Sequence, residues 1–293
     1  DCHNYIYKAD KMSPTKAFYE FSKIIFIKMK EDRKIINKVA KGKKISPQDF
    51  IFSEQWIEAN EGTDSNPFNN TLFRKIIEDL EEEIKEKKKK RIFPVGDQLD
   101  LKPSTIKEIV KKLQKYDLHS IDEDLNGRMF EAFLNATVRG KELGQFFTPR
   151  QVVKYMIKCA DLKVGKGILS AVLDGCCGSG GFLIEAMADM VEKVKSKENL
   201  TDKEKTDLIN EIKNHCLFGI EANETIASVA RMNMYLHGDG GSNIFSTDSL
   251  DKEILIESGE LKPLYEFTDK NVSAKTVEGL PICEADWAPP LGD

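Results

Sequence analysis

The stretch from Asp174 to Phe182, DGCCGSGGF, sets an acidic residue ahead of Gly175, Gly178, Gly180 and Gly181. Glycines at this density let a backbone approach a ligand closely, because no Cβ stands in the way and a positive φ costs little. No Lys-Ser/Thr pair follows them, so the loop does not have the form that cradles a triphosphate, and its spacing is not a clean Gly-x-Gly-x-x-Gly. Further along, Glu221 closes the apolar run of FGIEAN, where its carboxylate can accept hydrogen bonds from two vicinal ribose hydroxyls. Asp248, in STDSL, offers a short acceptor within reach of an adenine amino group. Taken alone, the glycine loop is shared by dinucleotide folds, mononucleotide folds and plain tight turns; with the two acids it fits an adenosine ligand that lacks a pyrophosphate.

The elements that must position these residues follow from periodicity. Ile168 to Leu173 reads as a short apolar strand, followed by the glycine loop and a helix from Gly181 to about Val194. After a charged segment, Leu217 to Ile220 is a second strand, a helix runs through Met232 to Leu236, and Ile244-Phe245 is a third strand. Strand and helix in alternation imply parallel strands with right-handed crossovers, hence an α/β, doubly wound sheet with its ligand at the carboxyl ends of the strands. Upstream of it, a helix around Leu125 to Thr137 turns Met129, Phe130, Phe133 and Leu134 inward, and Thr148-Pro149 is a cap-plus-proline start for a helix to about Ala160.

Residues 1–120 read as an all-α domain without strand-like alternation. Ser13-Pro14 opens a helix whose Phe18, Phe21, Ile25 and Met29 form a core stripe, and Ser46-Pro47 gives the same opening signal. Turn formers gather at 61–70, and helical patterns cover about Leu72 to Lys90 and Thr105 to Tyr116. The expected division is therefore 1–120 and 121–293.

Of 293 residues, 40% are hydrophobic and 32% charged, a balance typical of a globular chain, and no run approaches the roughly 18 apolar residues of a membrane helix. The net charge of −5 averages two unlike halves. Residues 1–120 hold 25 Lys+Arg against 20 Asp+Glu, and residues 121–293 hold 19 against 29, so phosphate contact is expected of the N-terminal half. Its densest basic run, Lys85 to Arg91, reads as a solvated helix end. The six cysteines lack metal-site or disulfide-framework spacing and read as reduced thiols, which points to the cytoplasm. Cys176 and Cys177 are small loop residues with no assigned chemistry, and His119, His215 and His237 are surface or capping residues. A start at Asp1 and a Pro/Gly-rich end at Asp293 read as a fragment of a longer chain.

GQFFTPR, LDGCCGSGGF, FGIEAN and ARMNMYLHG, in this order, resemble the N-6 adenine-specific DNA methylases, most of all the modification (methylation) subunits of type I restriction-modification systems. The likeness is strong over Asp124 to Leu250, and the helical first part resembles the domain that precedes the methylase domain in those subunits. It implies a class I methyltransferase (Rossmann-like) sheet that binds S-adenosylmethionine, methylation of adenine N6 in double-stranded DNA, and work beside a specificity subunit and a restriction subunit. By the same resemblance Gln145, Phe146, Phe147, Thr148, Pro149 and Arg150 fold over the methionine end of the cofactor; one of the two phenylalanines also suits the core, and Thr148 also suits a helix cap. Asp174, Gly178, Ser179, Gly180 and Gly181 form the floor, Glu221 holds the ribose hydroxyls and Asp248 the adenine. Gly175 stands where the family usually has proline, which loosens the loop without removing a polar contact.

The family's catalytic element is Asn/Asp/Ser-Pro-Pro-Tyr/Phe, which accepts hydrogen bonds from the target amine and stacks on a flipped base. The one Pro-Pro of this sequence, Pro289-Pro290, is flanked by Ala288 and Leu291, so no catalytic residue is assigned. The alternative to an enzyme is a non-catalytic cofactor-binding or assembly module of a restriction complex; a dinucleotide oxidoreductase is a third reading, opposed by the glycine spacing.

Overall fold

A computed structural model describes residues 2–85, 92–118, 148–165, 167–238, 243–250, 253–255 and 261–263. The expected boundary at 120/121, the expected helix at 125–137, Gln145, Phe146, Phe147 and most of the basic run at 85–91 lie outside them. Contacts divide the chain into two units, 1–147 and 148–293.

The regular elements among the first unit's described residues are all helical. Helix α1 (Cys2–Asp10) precedes α2 (Pro14–Ala40), where Ser13 accepts from the Lys16 N–H at 3.4 Å and proline stands in the first turn, as the Ser-Pro signal predicts. Phe18, Ile25 and Met29 are buried, and so are Ala17, Ile24, Phe26 and Ile27, so α2 is enclosed on more than one face. Ser46-Pro47, by contrast, starts only a 3-10 turn, Pro47–Asp49. Asp49 folds back to accept the Ser46 N–H at 3.0 Å and closes that turn; the chain then leaves it to bury Phe52 against Phe68, with ring centroids 5.5 Å apart. The helix starts at the next cap, Ser53, as α3 (Glu54–Glu61). A π-helical turn, Phe68–Phe73, delays α4 (Arg74–Lys85) relative to the expected start at Leu72, and α5 (Pro103–Leu113) follows. Phe93 packs edge-on against Phe26 and Phe73 at 5.2 and 5.4 Å. Beside this cluster the buried Lys23 ammonium donates to Glu20 at 2.9 Å, to Asp97 at 2.7 Å and to the Gln98 carbonyl at 2.7 Å, so its three protons are all used.

The second unit opens with α6 (Arg150–Ala160). Its cap position is Pro149, not Thr148: Pro149 has ψ 136°, its carbonyl takes the Val152 and Val153 N–H groups, and no side chain caps the helix. The expected strand at 168–173 is two pieces. Strand β1 (Val164–Gly165) pairs antiparallel with β2 (Ile168–Leu169), and β3 (Val172–Asp174) joins a different sheet. Ser170 separates them because its N–H and hydroxyl both bond back to Lys163, taking that residue out of the main ladder.

From β3 the chain runs through α7 (Gly181–Lys195) and α8 (Asp202–His215) to β4 (Leu217–Glu221), then through α9 (Glu224–Leu236) to β5 (Ile244–Ser246). The three strands are parallel in the order β3-β4-β5, with Asp174 opposite Gly219 and Glu221 opposite Ser246. A separate antiparallel pair, β6 (Glu253–Leu255) and β7 (Leu261–Pro263), follows. Helix α8 occupies the charged segment left without an element, and Thr201 with Glu204 forms its capping box. One core joins Val153 and Ile157 of α6, Leu183, Met187 and Met190 of α7, Leu217 of β4, Ala230 and Met234 of α9, and Ile244 of β5. Among the described residues no helix is long and apolar enough to cross a membrane.

Candidate functional site

Because β3, β4 and β5 run in one direction, their last residues share one edge of the sheet. Asp174 ends β3, Glu221 ends β4, and Asp248 lies two residues beyond β5, so the three acids foreseen as ligands stand at the same carboxyl edge. The glycine loop rises from Asp174 and returns over β4: the Cys177 N–H donates to the Ile220 carbonyl at 2.9 Å, and the Gly180 N–H donates to the Cys177 carbonyl at 2.8 Å. Gly178 and Gly180 have φ of 52° and 84°, the left-handed region in which an L side chain is strained. At Gly178 and Gly181 no heavy atom lies within 4 Å of where a Cβ would stand, whereas Gly180 faces Ala230 and Met234 of α9. The four glycines therefore divide: Gly178 and Gly181 border open space, Gly180 packs against the helix, and Gly175 is half-buried at the turn after Asp174. Ser179 is buried.

Glu221 is 9% exposed and spans two backbone donors, the Gly178 N–H at 3.2 Å and the Asn223 N–H at 2.9 Å, through different oxygens. The carboxylate thus braces the loop against the N-cap of α9. Asp174 accepts the Cys176 N–H at 3.2 Å. Burial raises its carboxyl above the ordinary aspartate value; the Cys176 N–H pulls the other way and the nearby Glu221 charge adds to the rise. Asp248 is exposed and accepts the Leu250 N–H at 2.9 Å through Oδ1. Burial, then Asp174 and Glu221, push the Cys177 thiol far up, so it is a packed, protonated side chain with no nucleophilic character.

Thr148 and Pro149 are exposed at the start of α6, and the Arg150 Nε lies 4.0 Å from a Glu185 carboxylate oxygen on α7. That contact ties α6 to the helix that begins at the glycine loop. Gly219 is a residue that sequence reasoning missed. A Cβ there would stand 2.6 Å from Ile244 Cδ1 and 2.9 Å from both Cys177 Sγ and Leu183 Cδ1, so only glycine lets β4, β5, the loop and α7 converge. A glycine inside the strand LFGIE was the available signal.

The Glu221 charge is close enough to add to the rise of the Asp174 carboxyl, and Asp248 follows β5 at the same end of the sheet, so the edge is acidic and opposes a pyrophosphate. Residues 121–262 match the N-6 DNA Methylase family. The match covers just under half of the chain and includes the glycine loop, Glu221 and Asp248. Over 153 residues the chain is 31% identical to the type II restriction enzyme and methyltransferase RM.BcgI of Heyndrickxia coagulans, covering 52% of this chain and 21% of that protein. Over 202 residues it is 27% identical to the type I restriction enzyme MpnII methylase subunit of Mycoplasma pneumoniae, covering 62% and 34%. It is 30% identical to the EcoEI methylase subunit of Escherichia coli over 134 residues, covering 45% and 25%. The chain thus spans between about a fifth and a third of the length of these curated relatives. In fold it is similar to a crystallised modification subunit from Vibrio vulnificus YJ016, with a TM-score of 0.54 at 20% identity over 85% of this chain and 54% of that one.

Proposed function

We propose that the chain is part of an S-adenosylmethionine-dependent DNA adenine-N6 methyltransferase, the modification subunit of a restriction-modification system. The single observation that carries this reading is the set Asp174, Glu221 and Asp248 on one sheet edge around a glycine loop, within a segment that matches the N-6 DNA Methylase family. Residues 121–293 then form the class I, doubly wound methyltransferase domain, and residues 1–120 the helical domain before it. S-adenosylmethionine supplies a methyl group on a positively charged sulfur. The residues of this chain hold it: Gly178 and Gly181 border the space it takes, Ser179 and Gly180 complete the floor, and Asp174 receives its amino acid end. Helix α7 starts with no capping side chain, so its first N–H groups add partial positive charge for the cofactor carboxylate. Glu221 accepts from the ribose hydroxyls, and Asp248 from the adenine amine. Gln145, Phe146, Phe147, Thr148, Pro149 and Arg150 cover the methionine end, and Gly175 gives the turn its slack.

The acceptor is adenine in double-stranded DNA, the positive balance of residues 1–120 contributes phosphate contact, and a specificity subunit chooses the sequence while a restriction subunit shares the assembly. The test is methyl transfer by the full-length protein that contains this chain, together with a specificity subunit, using duplex DNA and cofactor labelled in the methyl group. N6-methyladenine in the DNA is the expected product. Cofactor binding without label in DNA would replace the enzyme by a cofactor-binding module.

A further inference from the structure

The run Ala230 to Gly238, ARMNMYLHG, carries much of the family resemblance, and the cofactor contacts named above leave it without a role. In the structure it is the part of α9 that meets the glycine loop. Ala230, Asn233, Met234 and His237 recur at helical spacing and so share one face. A Cβ on Gly180 would lie 3.7 Å from Met234 Cγ and 3.8 Å from Ala230 Cβ, ordinary contact distances, so these two side chains form the surface on which the loop rests. Asn233 is 3% exposed, and its Nδ2 donates to the Ser179 carbonyl at 3.0 Å. Its own backbone carbonyl takes both the N–H and the ring Nδ1 of His237, at 3.2 and 2.8 Å. A carbonyl only accepts, so the ring carries its proton on Nδ1. Arg231 Nε donates to the Ile244 carbonyl at 3.0 Å and fixes the helix to β5.

We propose that Asn233 is a positioning residue for the cofactor loop, a role that rests on reading this loop as the S-adenosylmethionine site. The peptide joining Ser179 to Gly180 is planar, and both its polar groups are held: the carbonyl by Asn233, the Gly180 N–H by the Cys177 carbonyl at 2.8 Å. With both ends fixed the plane cannot turn, and Gly180 keeps its left-handed φ of 84° between Gly178, whose N–H is held by Glu221, and the first turn of α7. Without the Asn233 donor the plane is held from one side only, and open-space Gly178 and Gly181 lose their fixed relation to Glu221.

Asn233→Leu separates positioning from bulk stability. The Asn233 Oδ1 is buried without a hydrogen-bond partner, so leucine removes an unsatisfied acceptor along with the donor and fills a similar volume, which offsets the Ser179 carbonyl left without its donor. Asn233→Ala serves as the second variant. Two readouts are taken on the whole chain: amide hydrogen exchange at 178–181 without ligand, and calorimetric titration with S-adenosylmethionine. Faster exchange at the loop, and binding weakened about five- to tenfold in Asn233→Leu with a melting temperature close to that of the parent, are expected; one hydrogen bond corresponds to about that factor. Unchanged exchange overturns the proposal, and so does faster exchange with parental affinity, which makes the residue merely structural. If the parent itself binds no S-adenosylmethionine, the cofactor reading falls, while the exchange data still decide whether Asn233 holds the loop.

Discussion

Gly219→Ala puts one methyl group where β4, β5, the glycine loop and α7 meet. The added carbon would stand 2.6 Å from Ile244 Cδ1 and 2.9 Å from Cys177 Sγ and Leu183 Cδ1, against the roughly 3.5–4.0 Å at which nonbonded atoms rest. The neighbours must therefore retreat by about 0.6–1.4 Å, Ile244 the most. All three are buried, Leu183 at 0% exposed, Ile244 at 4% and Cys177 at 5%, and while the terminal methyls of Ile244 and Leu183 can swing, the short Cys177 side chain moves only with its backbone. Overpacking of this kind costs about 1–3 kcal/mol, which in a domain of this size lowers the melting temperature by about 2–12 °C. The nearest retreat for Cys177 lifts the loop, so cofactor affinity should fall together with stability. Differential scanning calorimetry and titration with S-adenosylmethionine, run on the parent and the variant, measure both. A melting temperature within 1 °C of the parent and unchanged affinity would refute the packing of the loop on Gly219.

Asp174→Asn should raise stability at neutral pH while weakening S-adenosylmethionine binding. The folded-state carboxyl value is raised, so the folded chain holds the proton more tightly; the parent loses stability as pH rises from about 4 through that raised value, and the variant should lack this slope in melting temperature against pH. Among the described thiols, Cys159 and Cys176 are exposed and should react with iodoacetamide at pH 8, whereas Cys177 and Cys216 should be labelled only after unfolding; burial raises both, Cys216 to about 12, as mass spectrometry of labelled peptides would show. Lys23→Met should cost about 3–5 kcal/mol in urea unfolding, since it strands Glu20 and Asp97 at a buried position, and a cost below 1 kcal/mol would show that the network is dispensable.

The parts of this fold that were legible in the sequence are those where local chemistry decides the outcome. Ser13-Pro14 caps α2, the glycine loop opens α7 at Gly181, and β4 and β5 fall on the apolar runs before Glu221 and Ser246. Where a signal repeats with a different neighbour it misleads. Ser46-Pro47 has the same letters as Ser13-Pro14, but Asp49 closes the turn and burial of Phe52 draws the chain away. Thr148-Pro149 likewise yields the cap to Pro149, and Ser170 cuts an apolar run in two by bonding to Lys163. Of the candidate site, the placement of Asp174, Glu221 and Asp248 at the ends of successive strands was legible because each closes or follows a short apolar run. Gly219 and Asn233 were not, since their value lies in which distant atoms they meet: Cys177 and Leu183 for one, the Ser179 carbonyl for the other.

The most direct measurement is calorimetric titration of the chain with S-adenosylmethionine and, separately, with NAD, on the parent and on Glu221→Gln. That substitution keeps the shape and one acceptor oxygen while removing the charge that faces Gly178 and Asn223. Stoichiometric binding of S-adenosylmethionine, none of NAD, and affinity weakened about tenfold or more in the variant are the predicted result. Binding of NAD, or S-adenosylmethionine affinity untouched by Glu221→Gln, would contradict the assignment of this loop as a methyl-donor site.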